Sequence, residues 1–177
     1  MTRLRHTRAI RLLSRFCADR TGATAVEFGL VAMPFFTLLF AIMQTSLVMF
    51  GSQALQTMTS AGARKIMTGQ MKNASFSEFK NALCSSSGMS AMFDCDNVFI
   101  QVVSFPDFSA ASTQMIVNPK CFKREPQPTA ADCWDPGTRQ EVVIVRVAYD
   151  WPFAVNLDDV SHKTRITAVN ASRNEPF

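Results

Sequence analysis

Histidine is almost missing from this chain: among 177 residues only His6 and His162 carry an imidazole. No H-E-x-x-H, G-x-S-x-G or glycine-rich phosphate loop occurs either. That leaves no catalytic residue to name and counts against a membrane-anchored hydrolase. There is no C-x-x-C pair, so a zinc site lacks its donors, and neither a metal nor a cofactor is expected. Internal repeats and long low-complexity tracts are absent as well. The acidic pair Asp158-Asp159 fits a solvated turn better than a cation site. Trp134 and Trp151 are expected to pack rather than to cage a ligand.

Charge is missing from one long stretch. Phe28 to Phe50 holds 23 residues with no ionisable side chain, enough for roughly 35 Å of helix at ~1.5 Å per residue. The formal net charge of +4 is unevenly placed around it. Residues 1–22 contain Arg3, Arg5, Arg8, Arg11, Arg15 and Arg20 against Asp19 alone, whereas the remainder is close to neutral. Cations directly before an apolar span follow the positive-inside pattern, which predicts a cytoplasmic N-terminus and an exported C-terminal part. Nucleic-acid binding is not expected, because the basic pI belongs to the leader. An ordinary secretory signal is cut after its apolar stretch; here the candidate site precedes it, so the helix stays in the mature chain.

Of five cysteines, Cys17 lies in the leader, and Cys84, Cys95, Cys121 and Cys133 fall in the exported part. An even number in an oxidising compartment points to two disulfides, with four unrelated buried thiols as the alternative. Three connectivities are open. Sequential pairing, Cys84–Cys95 and Cys121–Cys133, is expected because each pair encloses a loop rich in Ser/Gly or Pro/Asp; crossed pairing would tie the helical segment to the long loop.

The pattern of the exported part is mixed. Met58, Ala61, Ile66 and Met67 continue the helix through Ser52–Thr68, with Gly69 as C-cap. Ser75–Leu83 is predicted as a second helix, capped by Ser75 or Ser77, with Phe76, Phe79 and Leu83 on its apolar face. A Ser/Gly loop, Ser85–Ser90, follows. Asn97–Phe105, Glu141–Tyr149 and Lys163–Ala171 are β-branched or alternating and predict strands, with Ser112–Val117 as a short edge strand. Lys120–Arg139 is predicted as a loop held by Cys121 and Cys133. The fold class is therefore α+β: a long N-terminal transmembrane helix followed by a small antiparallel sheet.

Glu27 opens the uncharged helix. A carboxylate at a membrane costs on the order of 2 to 3 kcal/mol and is usually paired or functional. Cleavage between Gly22 and Ala23 would make Glu27 the fifth residue, able to pair with the new α-ammonium of a neighbouring subunit. The other reading is an interfacial glutamate just outside the hydrocarbon. Pro34 admits two readings as well: a functional bend, or a proline tolerated near a helix start.

Gly22-Ala23-Thr24-Ala25-Val26-Glu27-Phe28, running into a long apolar helix, resembles the prepilin processing site of type IV pilin-like proteins. It is most similar to the TadE family of minor pilins of the Flp/Tad tight-adherence system. Gln53–Gln70, with Ala61, Ala63, Arg64 and Gly69, resembles the family's helix continuation, and Arg173-Asn174-Glu175-Pro176-Phe177 is like its tail. Nothing family-specific is visible from about Ala74 to Lys163. The resemblance implies a pilin-like fold, cleavage at Gly22–Ala23 by a prepilin peptidase, insertion in the inner membrane, and a role in pilus assembly without turnover. Phe28, where the major pilin of that system typically has tyrosine, and the greater chain length favour a minor subunit. Implied partners are the peptidase, other pilin or minor pilin subunits, the inner-membrane assembly platform and membrane lipid. A bacterial origin makes the sequons at Asn73 and Asn170 incidental. The expected organisation is a leader at 1–22, a membrane helix with its extension at 23–70, and an exported domain at 71–177. The rival is a signal-anchored exported binding or sensor domain.

Overall fold

The computed structural model describes residues 22–85, 93–114, 117–123, 130–151 and 164–176. Residues 1–21 of the leader with Cys17, residues 86–90 of the Ser/Gly loop, Asp158-Asp159 and His162 lie outside the described residues. The elements in order are helix α1 (Ala23–Met67), helix α2 (Phe76–Ser85), a 3-10 turn (Cys95–Asn97) and strand β1 (Val98–Phe105). Helix α3 (Phe108–Gln114), a second 3-10 turn (Pro119–Phe122), helix α4 (Ala130–Cys133), and strands β2 (Val142–Asp150) and β3 (Arg165–Arg173) complete them. A long apolar helix followed by a three-stranded antiparallel sheet is an α+β architecture.

Two compact units divide at Gln44/Thr45. Among the described residues the first is α1 as far as Gln44. It is helical throughout, with Pro34 inside it, whose missing N–H removes the bond one turn back.

The second unit begins inside the helix. From Gly51 onward α1 buries Gly51, Ala54, Leu55, Met58, Thr59, Gly62, Ala63 and Ile66, an i, i+3/i+4 stripe. Ala61, expected on this face, is exposed instead. The stripe runs through small residues because its neighbours come close. A methyl added at Gly51 would lie 2.6 Å from the Trp151 ring, and one at Gly62 would overlap Leu83 and meet Phe79. Helix α1 stops where Gly69 takes a φ of 75° and its N–H donates to the Ile66 carbonyl at 2.9 Å. Helix α2 starts on a reciprocal cap. The Ser75 N–H donates to Glu78 Oε2 at 2.7 Å while the Glu78 N–H donates to Ser75 Oγ at 3.3 Å.

The sheet order is β1-β2-β3. Val98 pairs with Tyr149 and Phe105 with Val142 at the ends of β1–β2, and Val142 pairs with Arg173 and Asp150 with Arg165 at the ends of β2–β3. The central strand β2 is buried on both faces almost throughout, whereas β3 alternates exposed and buried over Arg165–Ala168. One face carries Val98, Ile100, Val102, Val143, Val145, Val147, Tyr149, Ile166 and Ala168, packed with Leu55, Met58, Ile66, Phe79 and Leu83. The opposite face carries two smaller clusters. Phe99 and Ala148 pack with Cys121, Phe122 and Cys133, and Val142 and Ile144 pack with Ala111.

Two disulfides join neighbours in sequence: Cys84 to Cys95, with Cα atoms 6.2 Å apart, and Cys121 to Cys133, with Cα atoms 5.6 Å apart. The segment from Lys120 to Arg139 is not wholly loop, since it contains part of the second 3-10 turn and α4. The described part of the predicted edge strand Ser112–Val117 is not strand, and residues 115–116 lie outside the described residues. Residues 112–114 close α3, which Asp107 initiates by accepting the Ala110 N–H at 2.7 Å on Oδ1. That local cap outweighs the β-branched character downstream.

Candidate functional site

Gly22, Ala23, Glu27 and Phe28 sit together on the opening turns of α1. Gly22 lies just outside the helix, and its carbonyl accepts the N–H groups of Ala25 and Val26, each at 3.1 Å. A methyl added at Gly22 would meet nothing within 4 Å. Packing among the described residues therefore gives no reason for a bare residue there. Glu27 is exposed and makes no ion pair among the described residues. Phe28 beside it is 72% exposed.

The helix that follows presents an apolar surface that is exposed among the described residues. Fifteen large apolar side chains between Val26 and Phe50 are exposed, with Met33 at 75%. Burying each is worth at least ~1.5 kcal/mol, so their combined preference for an apolar environment is on the order of 20 kcal/mol. By length and composition the helix is able to cross a membrane. Thr37 and Ser52 suit such surroundings, since their hydroxyls donate to the carbonyls four residues back, Met33 and Val48, at 2.8 and 2.9 Å.

The four cysteines belong to the second unit. The first disulfide links the end of α2 to the turn that launches β1, and the second closes the covering segment over Phe99 and Ala148. No group of three or more metal-ligating side chains forms among the described residues. Trp134 and Trp151 are in the main core assembly. Trp134 stacks 4.7 Å from Phe79 and donates its Nε1–H to the Ala74 carbonyl at 2.9 Å, and Trp151 fills the space left by Gly51.

One group of residues, noted in the sequence only for its resemblance to the family's tail, has a structural role that the pattern did not show. Arg173, Asn174 and Glu175 form a clasp. Asn174, 3% exposed, donates its side-chain Nδ2 to the carbonyls of Pro136 and Thr138, both at 3.0 Å, and its backbone N–H to Glu141 at 2.8 Å. Arg173 Nε donates to the Gln140 carbonyl at 2.7 Å, and the Glu175 N–H reaches the Met67 carbonyl at 3.0 Å. The last residue of α1, the turn before β2 and the end of β3 are thereby tied to one point. The signal available was the tail itself: a short polar asparagine after an alternating strand.

Residues 22–64 match the family model described as TadE-like protein. The matched segment starts at Gly22, takes in the exposed apolar helix, and ends before the α1 cap. It supports a protein associated with the Tad pilus. Comparisons with curated proteins and with solved structures give no significant match.

Proposed function

We propose that the chain is a minor pilin or pseudopilin of a Flp/Tad-type pilus, anchored in the inner membrane by α1 with its C-terminal domain in the periplasm. A prepilin peptidase removes the leader at the Gly22–Ala23 bond. The carboxylate of Glu27 then pairs with the Ala23 ammonium of an adjacent subunit, where an uncompensated charge among apolar helices is heavily penalised. The protein acts by helix packing against other pilin subunits and the assembly platform, without turnover. One observation carries this reading: the TadE-like match begins at Gly22, where a helix with fifteen uncovered apolar side chains starts. Gly22 adds to it, since a small residue with no contact to its Cβ position among the described residues suits the narrow cleft of a protease.

The test is the intact mass of the protein from strains with and without the peptidase. Cleavage is expected to give Ala23 as the first residue only where the peptidase is present. Retention of residues 1–22 in both strains refutes processing and leaves a signal-anchored binding domain.

A further inference from the structure

The two edges of the sheet differ. At β1 the outer side is partly occupied: Trp134 forms a parallel bridge with Val102, and the Asp135 N–H donates to the Val102 carbonyl at 3.0 Å. At β3 the outer side is open over most of its length among the described residues. The hydrogen-bonding parity is fixed by its two ends. The Trp151 N–H donates to Thr164 and the Asn174 N–H to Glu141, both at 2.8 Å. In an antiparallel ladder the even-numbered residues of β3 therefore bond to β2, and Arg165, Thr167, Val169, Ala171 and Arg173 turn their N–H and C=O groups outward. A side-chain contact agrees, since Gln56 Nε2 donates to the Val169 carbonyl at 3.2 Å. The same five residues put their side chains in solvent, with Val169 43% exposed.

A nine-residue edge with outward donors is a template for another strand. Its charge selects what binds. Arg165 and Arg173 bracket the strand, Arg146 lies opposite Val169, and β3 itself contains no acidic residue. Asp150 engages Nε and Nη2 of Arg165, at 2.5 and 3.0 Å, which leaves further donors of that guanidinium available. A second copy of this chain is a poor occupant. Antiparallel self-pairing centred on Val169 would set Arg165 directly opposite Arg173 twice, and like charges opposite one another destabilise a ladder.

We propose that the outer edge of β3 is a strand-addition site for an extended segment of another protein, with acidic residues facing Arg165 and Arg173 and an apolar residue facing Val169. Main-chain bonds to Thr167, Ala171 and the N–H of Val169, whose carbonyl already accepts from Gln56, hold the segment, and the two arginines set its register. The site is independent of leader cleavage and of Glu27.

The probe is a synthetic nine-residue peptide with Asp at both ends, Val at its centre and Thr elsewhere, added to the full chain in detergent micelles. Amide exchange by NMR reads the site, and fluorescence anisotropy reads the affinity. Protection is expected at Thr167, Val169 and Ala171 with little change at Ala168 and Asn170. Val169→Pro deletes one outward donor and no ladder bond, which an edge strand tolerates. It is expected to weaken binding about tenfold or more. A peptide with Lys at both ends, which needs no variant protein, is expected to lose binding to a similar degree. Equal affinity for the Lys peptide, protection elsewhere, no binding at millimolar peptide, or protection of the same amides by self-association would each overturn the proposal.

Discussion

Replacing Asn174 with alanine tests the clasp, and the structure sets the size of the effect. The side chain is buried and donates two hydrogen bonds of 3.0 Å to the carbonyls of Pro136 and Thr138. Each contributes roughly 1 kcal/mol net, and leaving the partly buried carbonyls without a donor adds to the loss, so the change should cost about 2 to 3 kcal/mol. For a unit of this size that corresponds to a melting point lower by about 10 °C. Near-ultraviolet circular dichroism of the full chain in micelles is the assay, because Tyr149, Trp134 and Trp151 are core residues and the apolar half of α1 contributes no tryptophan or tyrosine. Asn174→Asp sharpens the reasoning. Asn174 Oδ1 has no partner among the described residues, so the donors carry the interaction. A carboxylate facing two carbonyls should destabilise at least as much as alanine. A loss below about 0.5 kcal/mol for the alanine variant, or wild-type stability for the aspartate variant at neutral pH, refutes the account.

Two further outcomes are expected. Under the proposed pairing, Glu27→Gln leaves membrane insertion intact and abolishes surface adherence in a strain carrying only the variant; wild-type adherence would reduce Glu27 to an interfacial residue. At α2, hydrogen bonds from the Ser75 backbone N–H and then its hydroxyl hold the Glu78 carboxyl below its ordinary value of 4.5. Its contribution is therefore complete above pH 4.5 and is lost as pH falls through the lower folded value. Amide exchange of α2 should quicken over that acid range in the wild type, and Glu78→Gln should remove the pH dependence.

The architecture was legible where side-chain pattern and burial coincide. Val142 to Asp150 is a run of β-branched residues because β2 lies in the middle of the sheet and is covered on both sides. Arg165 to Ala168 alternates because β3 has one covered face. Reading failed where a single local bond decides the outcome. Asp107 caps α3 and takes residues 112–114 into a helix, whereas the Ser/Thr content and the later Ile116-Val117 suggested a strand. The helix through Ala61 was legible, but which of its residues are buried was not, for a related reason. Gly62 and Ala63 look unremarkable in sequence, but close approach of Phe79 and Leu83 makes small residues the buried ones. The grouping of Gly22, Ala23, Glu27 and Phe28 was visible because four neighbours in sequence remain neighbours on a helix. The clasp was not, since its carbonyl partners come from residues 67 and 136–141 and a carbonyl leaves no mark on residue type.

The clasp also orders events in time. A chain threaded outward from its N-terminal side presents α1 first, and the two disulfide loops can close within a dozen residues of their own emergence. The carbonyl of Met67, however, must wait for the N–H of Glu175, and the turn at Pro136 and Thr138 for the amide of Asn174. Until those residues arrive, the end of α1 and the turn at Pro136 and Thr138 lack their bonds to the tail, although β3 is already paired with β2. Under the proposed export of this domain, completion of the fold is coupled to completion of translocation, and a chain stalled before residue 174 leaves a sheet that is assembled but unlatched.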